Sequence, residues 1–146
     1  MPRVAFYLMV AGLSLPLPVM AAAQCPFPQG MQASIEASRH VVQARADGTP
    51  REQLLQGIPT KLDEPTRQLL REIVSEVYDN EPVQADVYAA YRFEHCFLSQ
   101  QHAETVAAIK FSDALPLLRK CEQIEPLGAR PPCAMRAVHA VTGIPE

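Results

Sequence analysis

His95 and Cys96 are neighbours in the chain, and a thiol beside an imidazole is the raw material for a nucleophile with its base. Helical geometry works against that pairing, because adjacent residues on a helix point about 100° apart. No Cys-x-x-Cys occurs, so the common redox motif is missing as well. A metal site is the second chemistry to weigh. His95 and His102 are two turns apart if one helix runs through both, with Glu94 beside them and His40 reachable only through tertiary contact. The tight ligand spacings of zinc motifs are absent. A metal-binding protein or enzyme using His95, His102 and Glu94 is therefore the alternative reading. Two carboxylate pairs, Glu72 with Glu76 and Glu122 with Glu125, are the third. Acid–base work would require surroundings that drive their pKa values apart, and the usual role of such pairs is a solvated face. There is no Gly-rich phosphate loop and no nucleophile elbow.

The remaining signal is aromatic. Tyr88, Tyr91, Phe93 and Phe97 crowd one stretch, with Tyr78 shortly before it. Most of these rings belong in a core. Tyrosines at the edge of a bundle would suit a protein partner, which makes Tyr78, Tyr88 and Tyr91 the candidate surface. The charged face around Arg67 and Arg71 is a second one.

The element that carries these residues is Val83–Gln101. Val87, Tyr91, Glu94/His95 and Leu98 form one helical stripe; Ala89 or Ala90, Phe93, Cys96 and Phe97 form another. A helix apolar over so much of its circumference is surrounded by others, so this is the expected centre of the fold. Ahead of it, Gln29–Ala46 reads as an amphipathic helix stopped by Gly48, its stripe weakened by Ser34 and Ser38. Thr49-Pro50-Arg51-Glu52 has the form of a capping box opening a short helix that Pro59 ends. Asp63-Glu64-Pro65 opens a third helix, with its apolar face on Leu62, Leu69, Leu70, Ile73, Val74 and Val77 and Tyr78 at the edge. Asp79–Pro82 is a turn, with Asn80 a candidate cap for the central helix. His102–Phe111 is ambiguous and leans helical. Ser112 or Asp113 caps a further helix with Pro116 in its first turn, Glu125–Pro132 is a loop, and Cys133–Val141 is a short last helix ended by Gly143, with His139 expected on its solvent side.

The chain has 146 residues and a formal net charge of −3. Arg3, the apolar run Val4–Leu17 and Ala21-Ala22-Ala23 form a secretory signal with a cleavage site after Ala23. A membrane anchor is the rival reading, but Pro16 and Pro18 interrupt the segment. A lipid-anchored Cys25 is disfavoured by Gln24 before it. Residues 24–146 then form one domain, a core bundle at 24–101 and a helical C-terminal extension at 102–146. There is no basic footprint for nucleic acid or for a membrane surface. Cys25, Cys96, Cys121 and Cys133 are all in the exported part, and an even count in an oxidising compartment reads as two disulfides. Three connectivities exist. The Pro/Gly-rich loop favours Cys121–Cys133 as a local staple, with Cys25–Cys96 as the long bridge.

An early cysteine, the turn Arg45-Ala46-Asp47-Gly48, a short capped helix, a helix ending in Val77-Tyr78 and one closing on Cys96 follow in order. In these features the stretch from Cys25 to Cys96 resembles a group of small exported bacterial helical proteins. The resemblance implies a helical fold and a Cys25–Cys96 bridge; it implies no activity and does not reach residues 102–146. The expectation is an all-α, disulfide-stapled bundle of five to six helices. Its expected role is that of a non-enzymatic periplasmic or secreted protein, with no cofactor and no stable membrane insertion after signal cleavage. Its partner would be another protein, and an immunity or inhibitor protein is one concrete form.

Overall fold

The computed structural model describes residues 31–146. The expected signal segment 1–23, its cleavage site and Cys25 lie outside the described residues. Within them the chain is all-α: α1 Met31–Ala46, α2 Arg51–Gln56, α3 Glu64–Asp79, α4 Ala85–Ser99, α5 Ala103–Ala107, α6 Phe111–Glu122 and α7 Arg130–Thr142, with a 3-10 turn at Leu127–Ala129. The described residues form seven helices where about five to six were expected, and His102–Phe111 is helical in part, as α5. No described helix is long and apolar enough to cross a membrane.

The apolar stretch around Tyr91 does occupy the centre. α4 packs chiefly between α1 and α7, and Val87, Tyr88, Ala89, Ala90, Tyr91, Cys96 and Leu98 are all buried on it. Phe97 departs from its expected stripe and is 39% exposed. α1 lies along α4 through a narrow buried row, Ser34, Ser38, Val41 and Ala44. The serines are therefore part of the seam: small side chains let two helix backbones approach closely. Among the described residues, neither buried hydroxyl has a hydrogen-bond partner. Ser38→Ala is accordingly expected to stabilise the fold by about 1 kcal/mol. Ser38→Leu should destabilise it by about 1–3 kcal/mol by forcing α1 away from α4. Urea denaturation of the two variants checks both signs.

The helix boundaries show where local signals operate. Asp63 caps α3 as expected, accepting from the Thr66 amide and the Thr66 hydroxyl, each at 2.9 Å. Gly48, at φ 81, ends α1, and Gly143, at φ 71, ends α7; both need the left-handed conformation that glycine adopts freely. Three expected caps are not made. The residue before α2 is Pro50 with no side-chain cap, and the Thr49 carbonyl instead accepts from the Tyr78 hydroxyl. Asn80 closes α3 rather than opening α4, donating to the Glu76 carbonyl at 2.9 Å. α6 starts at Phe111, where the Asp113 carboxylate accepts from the Lys110 amide at 2.9 Å, so Pro116 sits in the second turn.

Helix directions follow from the side-chain bonds. Arg130 at the start of α7 donates to Gln84 just before α4, and farther along His139 meets Glu94, so α4 and α7 run parallel. α6 and α7 form a hairpin stapled by Cys121–Cys133, with the two Cα atoms 5.6 Å apart. Cys96 is also disulfide-bonded, and no described cysteine is free.

Candidate binding cleft

A buried polar cluster ties α3 to α4. Glu76 on α3 receives Arg92 Nη1 on both carboxylate oxygens at 3.1 Å, and the Tyr88 hydroxyl on one of them at 2.7 Å. Tyr88, Arg92 and Tyr91 lie on one face of α4, at spacings of three and four residues. Burial works against the Arg92 charge, but the Glu76 carboxylate, together with Tyr88, Tyr91 and Glu72, outweighs it, and the guanidinium remains fully cationic. Burial, then the nearby Glu76 charge, pushes both tyrosines well above the ordinary phenol range. Neither is activated for proton transfer. The rings pack with Phe111 from α6, whose centroid is 5.4 Å from Tyr88 and 5.2 Å from Tyr91. This cluster is a tie, with its chemistry spent on itself.

The open site lies over it. A cleft of about 850 Å³ runs between the second half of α1, the turn before α4 and the face of α6. Its floor is apolar, made by Val42, Val77, Val83, Tyr88 and Phe111. The charges are Arg39, Arg45 and Arg119 with Glu81, Asp86 and Glu122. Most of these are matched internally. Arg119 donates to Glu81 at 2.8 Å and to Glu122 at 3.1 Å. Arg45 donates to the Val77 and Asn80 carbonyls, which neutralises the open C-terminal end of α3, and it lies over the Tyr78 ring at 5.8 Å. Among the described residues, Arg39 on α1 and Asp86 on α4 have no ionic partner. The cleft therefore presents one unmatched cation and one unmatched anion on different walls above an apolar base.

The sequence-derived candidates are dispersed. Tyr88 and Tyr91, at 1% and 0% exposure, lie in the core, where α6 covers the face of α4 that carries them. Tyr78 is partly buried, with its hydroxyl bonded to Thr49 and its ring under Arg45. The three tyrosines thus do not form an edge surface. Arg67 and Arg71 both pair with Glu64. Helix α4 stops at Ser99, so the two-turn spacing of His95 and His102 does not survive, and His102 is exposed at the start of α5. His95 is partly buried against Tyr91; burial, helped by the Arg92 charge, drives its pKa down to about 3 and keeps the ring neutral. Glu94 pairs with His139 at 2.9 Å instead of with His95 or His102. His139 is correspondingly not on the solvent side of α7. Among the described residues, no three His, Cys, Asp or Glu side chains gather closely enough to hold a metal ion. Glu122 is committed to Arg119, and Glu125 to Arg130 at 3.2 Å.

Arg39, Asp86 and Arg119 come from helices far apart in the chain, and no local motif marks them. Arg92 did carry a signal: an arginine in the middle of an apolar helix needs a buried carboxylate somewhere. No protein-family model, curated protein or solved structure matches this chain.

Proposed function

We propose that this chain is an exported, non-enzymatic binding domain, periplasmic or secreted, that receives a segment of a protein partner in the cleft beside α1. The observation that carries the reading is the distribution of polarity there. The floor is apolar and the unmatched charges, Arg39 and Asp86, stand on the walls. An apolar centre with a polar rim is the anatomy of a protein interface. A small-molecule pocket instead aims a few polar groups at its ligand. The Tyr88 hydroxyl is the polar group of the floor, and it is spent on Glu76. The segment that fits has apolar side chains flanked by an acid for Arg39 and a base for Asp86.

Export is supported by the signal-like N-terminus and by disulfide use in the described residues. The mixed rim and formal charge of −3 give nucleic acid no footing. An immunity or inhibitor protein is a concrete form of this function. The test places a photo-crosslinking residue at Gln43 on the cleft wall, and another at Arg136, exposed on α7, in cells that produce the full chain. A discrete protein adduct from position 43 and not from 136 is expected. Arg39→Glu should weaken it several-fold, more strongly at low salt. Identical adducts from both positions, or none from position 43, would defeat the proposal.

A further inference from the structure

The ring of His139 sits between two acceptors. Nε2 faces Glu94 Oε1 on α4 and Nδ1 faces the Ile144 carbonyl in the tail, each at 2.9 Å. A carbonyl can only accept, and so can an ionised carboxylate. A neutral imidazole has one N–H and satisfies one of them, leaving its other nitrogen to point a lone pair at an oxygen. The geometry is matched to the imidazolium, which donates at both ends.

The tail is built to reach this ring. Gly143 turns the chain in the left-handed conformation at φ 71, and its amide donates to the His139 carbonyl at 2.9 Å. The Ile144 amide donates to Thr142 Oγ1 at 3.3 Å, and the Ile144 side chain packs against the core. Glu94 is 5% exposed, so its carboxylate has little water to turn to in place of the ring. We propose that the C-terminal tail Gly143–Glu146 is a latch held against α4 by the doubly protonated His139, and that loss of one proton releases it.

Among the described residues, the charges acting on the ring are Glu94 from α4 and Glu146 from the tail, both acidic; α6 and the 3-10 turn, which also pack on α7, contribute none. Burial disfavours the imidazolium, but the Ile144 carbonyl and then Glu94 outweigh it, so His139 titrates above its ordinary value. The latch contributes fully below about pH 6.5, the ordinary histidine value, and is lost as pH rises through the folded one. The tail is thus closed on the acidic side and open on the alkaline side, where Ile144 and the end of α7 become exposed.

NMR of the full chain tests this, following the His139 ring and the backbone mobility of Ile144 and Glu146 from about pH 5 to about pH 9. The ring should titrate above about 6.5, and fast tail motion should rise in the same step. Glu94→Gln should lower the midpoint and free the tail at lower pH. Should that buried substitution prevent folding, Glu94→Asp supplies a second variant. It withdraws the carboxylate from Nε2 and keeps the charge of the site, and should also lower the midpoint. A wild-type midpoint at or below the ordinary value, a tail whose mobility ignores the titration, or a midpoint unmoved by Glu94→Asp would each overturn the latch.

Discussion

Glu76→Ala is expected to cost about 3–5 kcal/mol, a large share of the stability of a domain this size. The cost comes from what remains behind more than from what is removed. The Arg92 side chain is 4% exposed, and its charge is compensated by the single carboxylate it touches. Without Glu76 a guanidinium is left in the interior, and its buried Nε already has no hydrogen-bond partner among the described residues. The Tyr88 hydroxyl loses its acceptor in the same substitution. Tyr88→Phe, which removes one hydrogen bond and leaves the ion pair, should cost only about 1 kcal/mol. The paired replacement Glu76→Leu with Arg92→Met should recover most of the loss, because burying apolar groups in place of an ion pair is often neutral or favourable. Denaturation followed by circular dichroism measures all three. If Glu76→Ala stays within about 1 kcal/mol of the parent, the pair is not the tie between α3 and α4 described above.

Removing the staple, Cys121→Ala with Cys133→Ala, should cost about 3 kcal/mol on the chain-entropy account of a short closed loop. The loss should also be local. α6 packs mainly on α7 and only lightly on α4, so the hairpin relies on the covalent link more than α1 and α4 do. Hydrogen exchange should accelerate first in α6, while the centre of α4 keeps its protection. Leu118 and Ala114, fully buried on α6, are the contacts that would open with it. Uniform acceleration across all helices would mean that the domain unfolds as one unit and that the staple has no special hold on the hairpin.

Much of the fold was legible because its signals are local. Asp63 caps α3 through an amide three residues away, and Gly48 and Gly143 stop their helices through their own φ angles. The central position of α4 was legible for a different reason: a helix greasy on most sides has nowhere to sit but inside. The Cys121–Cys133 link followed from a short loop able to bring its ends together.

The errors occur where a distant group claimed a residue first. Thr49 had the form of a cap, but its carbonyl serves Tyr78, and the chain enters α2 without it. Asn80 was positioned for α4 and closes α3. Tyr88 and Tyr91 had the amphipathic character of an edge, and α6 covers them. Glu94 and His95 share a turn, yet Glu94 belongs to His139 across the α4–α7 contact. Helix periodicity, capping and the cysteine spacing are properties of neighbours in the chain, and so sequence alone decided the all-α class, most helix positions and the C-terminal staple. The Glu76–Arg92 tie, the His139 contacts and the cleft join residues tens of positions apart. They depend on which helix faces lie against one another, and only the packed structure decides that.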